Sequence, residues 1–283
     1  KSGKVILAND PHIGFAAPST WYEAHLKTPD WELYGHHLAG IPFALLGHNR
    51  RMAWGVTMLQ NDDLDYYRER ANPANPDQVW FRDHWEDLKI IEETISVKGG
   101  EDNPLRVRIS RHGPIINDVL ESVEKTEIQP VALAWEMLKN FENSTEQVFY
   151  ELGHSESLAN SRAAVSKLHA PGLNINYGDA EGNIAWWGAA RLLIRPEHVN
   201  SFVILDGASG KDEVLGYRDF SENPQSENPK SGILFNGNNQ PGDTGSGLEP
   251  GYYAPEERAH RIGELLNSAK KNWTADEMKS IQL

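Results

Sequence analysis

"VILANDPHIGF", residues 5 to 15, is an apolar run (Val5, Ile6, Leu7, Ala8) that breaks into Asn9-Asp10-Pro11-His12 and resumes with Ile13, Gly14 and Phe15. A β-branched run ended by Asn, Asp and Pro reads as a strand that hands its last residues to a turn. His12 is then expected at the mouth of a buried strand. Two readings stay open for it: a turn histidine, or a histidine set opposite another group across the strand end.

Working outward, the texture is mostly β. "DDLDYYRERA", "VWFRDHWEDLKIIEETISVKGG", "LRVRISRHGPIIND" and "VALAWEML" are short alternating or β-branched runs, bounded by clusters such as "ANPANPD" and "KGGEDNP". Leu105, Val107 and Ile109 alternate with Arg106, Arg108 and Ser110, which predicts one buried face. "SESLANSRAAVSKLH" reads as a helix, and "NINYGDAEGNIAWWGAARLLI" as a hairpin turning at Asp179 to Asn183. Ser221 to Ser231 reads as a loop, "GILFNGNNQP" as a strand entering an asparagine-rich turn, and Pro255 to Ala269 as a helix striped by Ile262, Leu265 and Leu266. Long successions of strands with few helices predict an α+β chain with mainly antiparallel sheets. At the start, Ser2 and Gly3 read as a turn feeding the first strand. At the end, Thr274 and Glu277 form a capping box, with Trp273 and Met278 placed as a hydrophobic staple. The chain is therefore expected to be an internal piece of a longer polypeptide.

Charge and length exclude several classes. The 283 residues carry 41 acidic and 27 basic side chains, a formal charge of -14, which argues against nucleic acid or an anionic membrane as partner. No apolar run approaches the roughly 18 to 20 residues of a spanning helix. There is no cysteine, so thiolate catalysis, disulfides and Cys-ligated zinc are excluded.

The candidates for chemistry are few. Eleven histidines show no H-E-x-x-H spacing, and adjacent His36 and His37 point their rings apart. "GASGK" (207 to 211) lacks phosphate-loop spacing and reads as a turn; "GSG" (245 to 247) is no nucleophile elbow. In "NDDLDYY", Asp62, Asp63 and Asp65 form either a solvated turn or the oxygen donors of a hard cation such as calcium, without EF-hand spacing. In "FNGNNQP", three asparagines either cap a strand end or hold a side-chain amide where an oxyanion could form.

A resemblance separates these alternatives. "LANDPHIGF", "WYEAHL", "AGIPFALLGHNRRMAWGVT", "NDDLDYYRE", "RHGPII", "NINYGDAEGNIAWW" and "FNGNNQP", in that order, closely resemble the β-chain of the penicillin acylase family of N-terminal-nucleophile hydrolases, from Lys1 to Leu283. The resemblance implies an αββα sandwich, of which residues 1 to 283 would be a partial domain truncated at both ends. It implies a self-cleaving precursor whose β-chain begins with a nucleophilic serine, its own α-amino group acting as base. The match puts that serine upstream of Lys1, so the isolated chain is expected to be inactive.

By the same resemblance His12 would orient the serine, Met58 would offer a backbone N–H and Asn238 a side-chain amide to the oxyanion, and Arg258 would lie beside them; a helix-surface ion pair is the other reading of Arg258. Ile13 stands where phenylacetyl-preferring members carry an aromatic residue, which implies an aliphatic acyl group. Asp62, the Leu64 carbonyl and Asp65 would bind a structural calcium; no organic cofactor is implied. The implied partners are the α-chain of the same precursor and a small N-acyl amide, and the implied location is periplasmic or secreted. An unpaired sheet edge is expected to favour self-association. A β-rich, calcium-dependent binding module with exposed tryptophans in "WWG" and "HWEDL", or a scaffold without the nucleophile, is the alternative.

Overall fold

The computed structural model describes residues 3–139, 145–243, 247–267 and 272–282; Ser2, most of "GSG" and the end of the stretch to Ala269 lie outside them. The chain forms two compact units, one from Lys1–Asn61, Phe141–Leu192 and Arg218–Leu283, the other from Asp62–Asn140 and Leu193–Tyr217.

The first unit is built on a seven-stranded antiparallel sheet. Its order is Trp21–Lys27, Glu32–Leu38, Leu46–His48, Met52–Met58, Leu173–Asp179, Ile184–Ala189, Gln225–Glu227. One face packs Leu33, Trp54, Val56, Ile175 and Trp187 against Val148, Phe149, Leu152 and Val165 from two helices, Thr145–Gly153 and Leu158–Val165, and against Leu168 just beyond the second. Ser157 caps the second helix by accepting from Asn160 N. The first helix was not foreseen. Its signal, Val148, Phe149 and Leu152 on one face, is less than three turns long, and short apolar runs do not distinguish helix from strand. The hairpin turns where predicted, because Asp179 accepts from the backbone N–H of both Glu181 and Asn183.

The opening stretch corrects its reading. Val5 to Ala8 join no strand ladder. Val5, Leu7 and Asn9 are half-buried and their neighbours exposed, as in extended chain. The segment crosses the sheet instead of running along an edge: a Cβ on Gly178 would lie 2.6 Å from Val5, and one on Gly55 would lie 2.7 Å from Asn9. Ala53, Gly55 and Gly178 share the face opposite the helices, so two missing side chains make the bed for this segment. The three-residue strand Leu46–His48 covers its neighbour only at Ala53 and Trp54. At Val56 the exposed edge is satisfied by the Asn9 amide, which donates to Val56 O (3.2 Å) and accepts from Val56 N (3.0 Å).

Two further differences lie near the C-terminal half. Within the predicted loop 221–231, Gln225–Glu227 adds an edge strand beside Ile184–Ala189. "GILF" is not a strand, because no neighbouring backbone pairs with it; Phe235 instead packs against Gly263 of the helix Glu257–Leu266. Leu266 of the expected stripe is buried, with Ile262 and Leu265 half-buried. The capping box forms: Thr274 N donates to Glu277 Oε2 (2.8 Å), Glu277 N donates back to Thr274 Oγ1 (3.3 Å), and helix Ala275–Gln282 follows.

The second unit holds small sheets: Val131–Trp135 with Leu64–Arg68 and Leu205–Asp206, Arg70–Asn72 with Asn75–Phe81 and His84–Asp87, and the ribbon Lys89–Ile95 with Asn103–Ile109. The pair Leu205–Asp206 with Leu64–Arg68 is parallel and the others are antiparallel. Leu105, Val107 and Ile109 are half-buried where a buried face was predicted, since a two-stranded ribbon cannot enclose a core. Tyr67, Ile115, Ala132 and Leu205 form the small core of this unit. No helix of the described residues is long and apolar enough to cross a membrane.

Candidate functional site

In the first unit, the strand Met52–Met58 ends where the asparagine-rich turn begins to pack. Asn238 Nδ2 donates to the Met58 carbonyl at 2.8 Å, and Arg258 Nη2 donates to Asn238 Oδ1 at 3.0 Å and to Gly237 O at 2.8 Å. These partners fix the amide. A guanidinium only donates, so it must face the oxygen; a carbonyl only accepts, so it must face the nitrogen. Asn238 holds φ at 60°, a region Asn tolerates better than most residues, and its own carbonyl accepts from Ala254 N (2.8 Å). Gly237 lets the turn abut the helix that carries Arg258: a Cβ there would lie 2.9 Å from Ala259 N. Arg258 therefore serves the turn, and the helix-surface ion pair is not what it forms.

Met58, Asn238 and Arg258 are thus brought together, and two other expected residues are not. His12 pairs with Asp10 at 3.2 Å and is exposed, and Ile13 is also exposed. Among the described residues no hydrogen bond or ion pair joins His12 to the Asn238 group.

In the second unit the acidic run is not a solvated turn. Asp62 and Asp65 are 1% and 2% exposed and face the guanidinium of Arg195, which lies 3.0 Å from Asp65 Oδ2 and 3.5 Å from Asp62 Oδ2. Burial pushes the Asp65 carboxyl above its ordinary range; Arg195 pulls it down, while Asp62 and Glu136 push it up. Asp63 is likewise raised by burial. Both oxygens of Asp62 and Oδ1 of Asp65 accept no hydrogen bond from the described residues. Among those residues, no three of His, Asp and Glu converge as a complete metal set. Unsatisfied buried carboxylate oxygens are nevertheless the donor chemistry a hard cation takes, so Asp62 and Asp65 fit calcium, provided further ligands come from outside these side chains.

Sequence reasoning passed over two buried networks. Asn174, 1% exposed on the strand Leu173–Asp179, donates to the Met58 carbonyl, and the first asparagine of "NINYGD" was its only signal. In the second unit His112, from "RHGPII", is held between Glu69 (2.8 Å) and Glu213 (2.7 Å) and stacks on Tyr67 with ring centroids 4.0 Å apart. Burial lowers its pKa, but the hydrogen bonds and charges of Glu213 and Glu69 outweigh burial, and the net shift is upward. None of the nine tryptophans is exposed, and Trp54 and Trp187 are fully buried, so the exposed tryptophans expected of a binding module are not found among the described residues.

The family model described as penicillin amidase matches residues 1–283. An acyl-homoserine lactone acylase QuiP of Pseudomonas aeruginosa is 30% identical over 97% of this chain and 33% of its own length. A penicillin G acylase of Escherichia coli is 26% identical over 98% of this chain and 32% of its own length. The chain thus spans about a third of these relatives. A solved thermostable penicillin G acylase from Alcaligenes faecalis superposes with a TM-score of 0.83 at 24% identity, over 96% of this chain and 48% of that one, which gives the fold as that of the N-terminal-nucleophile hydrolases.

Proposed function

The chain belongs to the penicillin amidase family, and on that premise we propose that the whole protein is an acylase that hydrolyses the amide bond of small N-acyl compounds, either β-lactam side chains or acyl-homoserine lactones. The observation that carries this reading is the orientation of Asn238. Its oxygen is held by Arg258 and its nitrogen spends one hydrogen on Met58, so the second hydrogen is left for an incoming acceptor.

In this proposal the nucleophile is an N-terminal serine about eleven residues before Lys1, activated by its own α-amine, which titrates near neutrality. Its hydroxyl attacks the acyl carbon, the hydroxyl proton passes to the amine, and the carbonyl oxygen becomes an oxyanion. The Asn238 amide and the Met58 N–H would meet that charge; the amine proton then returns to the leaving nitrogen as the C–N bond breaks. Water hydrolyses the acyl-enzyme by the same steps. His12 would reach its role of orienting the serine only in the presence of the upstream residues and the α-chain. Ile13 favours an aliphatic acyl group. Calcium, when bound by Asp62, the Leu64 carbonyl and Asp65, would supply charge neutralisation in the second unit and take no part in the reaction.

The first test is N-terminal sequencing of the mature subunit from its natural source, followed by an N-acyl amide assay of the complete protein. A serine about eleven residues before Lys1, with hydrolysis, is the expected result. An uncut chain, or a residue there that cannot act as nucleophile, would leave Asn238 and Arg258 as structural groups in a scaffold.

A further inference from the structure

Behind the Asn238 group lies a chain of hydrogen bonds that runs through Asn174. Trp186 Nε1 donates to Asn174 Oδ1 at 2.9 Å. Asn174 Nδ2 donates to the Met58 carbonyl at 3.1 Å and to Thr57 Oγ1 at 3.2 Å. Thr57 Oγ1 in turn donates to Asn236 Oδ1 at 2.9 Å. The orientation of the Asn174 amide is forced, because an indole N–H only donates and a backbone carbonyl only accepts. The strand register puts Asn174 directly opposite Thr57.

We propose that Asn174 is a positioning residue for the oxyanion amide. Its carboxamide fixes the Met58 carbonyl, one of the two partners of the Asn238 amide, and through Thr57 supports Asn236 in the turn that carries Asn238. This rests on the acylase reading and extends it to a residue that touches no substrate.

The physical case has three parts. The Met58 carbonyl has two lone pairs and meets two amides, Asn174 at 3.1 Å from within the sheet and Asn238 at 2.8 Å from the turn. Its direction is therefore set by Asn174 before Asn238 uses it. Second, both hydrogens and the oxygen of the Asn174 amide are engaged at 1% exposure, so it has no alternative rotamer that keeps its partners. Third, stabilisation of an oxyanion depends on where the donor sits, and a site with a loose support loses rate while still binding. Linked hydrogen bonds also polarise one another, so a donor upstream is felt downstream.

A purely structural Asn174 would do less. Its loss would lower stability and leave the chemistry of properly folded molecules unchanged.

The test uses the complete, self-processed protein with a chromogenic N-acyl anilide. The variants are Asn174→Leu and Thr57→Val, each made alone and in the Asn238→Ala background. Thr57→Val is close in shape and removes only the hydroxyl, so it answers even if Asn174→Leu does not fold. The expected result is a fall in kcat of about tenfold or more in each single variant with KM within about twofold, and an effect below about threefold once Asn238 is already alanine. Equal losses in both backgrounds would overturn the proposal, as would unchanged kcat in folded single variants beside a large loss in Asn238→Ala. Unchanged kcat in Asn238→Ala would instead overturn the acylase site and the proposal with it.

Discussion

Arg195 lies 3.0 Å from Asp65 and turns the same guanidinium toward Asp62, so one cation faces two buried carboxylates. Removing the cation strands the acids. Arg195→Met is expected to destabilise the second unit by about 3–5 kcal/mol, the cost typical of a buried ion pair that loses one partner. Urea unfolding of the complete protein measures it, and a loss under about 1 kcal/mol would show the acids to be solvated after all.

Calcium and protons should compete at Asp65, with Asp63 protonating beside it. Asp63 and Asp65 have raised pKa values, so the folded state holds protons that the unfolded state has released. Without a cation, these two groups make stability fall as pH rises from about 3.8 through their raised values. Added calcium is therefore expected to raise the melting temperature of the complete protein at neutral pH and to lose that effect toward pH 4. A chelator that leaves the neutral-pH melting temperature unchanged would contradict a structural calcium.

At Asn238, substitution by alanine should cut turnover about a hundredfold or more with folding intact. Arg258→Met removes the donor to Asn238 Oδ1 and to Gly237 O while leaving the Asn238 amide in place, and a smaller loss, about tenfold, is expected. Both are read in kcat of the complete protein with circular dichroism as the folding control; losses below about threefold for Asn238→Ala would contradict an oxyanion role.

His112 gives the second unit a pH signature. Its pKa is raised, so the stability it adds is fully present below about 6.5 and disappears as pH climbs through the folded value. The carboxyl of Glu213 is lowered, first by its hydrogen bond to His112, so its contribution is present above about 4.5 and is lost in acid. The difference in unfolding free energy between the native protein and His112→Gln should therefore be greatest between about pH 4.5 and 6.5. A difference that does not vary from pH 5 to 9 would exclude a charged His112.

The Asn9 amide replaces a missing strand at Val56. Asn9→Ala leaves one backbone donor and one acceptor half-buried without partners, a cost of about 1–3 kcal/mol. Limited proteolysis should then cut faster within residues 4–15 than in the native protein. Equal cutting rates would mean that Gly55 and Gly178 hold the segment without Asn9.

Composition and local pattern determined much of this protein. The hairpin at Asp179, the helix within "SESLANSRAAVSKLH", the capping box at Thr274 and the predominance of antiparallel strands follow from turn chemistry and side-chain period, which act over a few residues. The ordered motifs carried the family and pointed to Asn238, Met58 and Arg258. Tertiary structure alone decided the rest, because it depended on groups far apart in the chain. Val5 to Ala8 has a strand's sequence, yet Gly55 and Gly178 draw it across the sheet. "GILF" has a strand's sequence and finds no partner backbone. Asp62 and Asp65 read either as a wet turn or as cation donors, and nothing local announces Arg195, 130 residues away from Asp65, which arrives beside them. Asn174 looked like one polar residue in a β-run, and only the register with Thr57 and the return of Asn238 made it part of a site. A sequence states which hydrogen bonds and charges a residue can offer; the fold decides which partner is left to accept them.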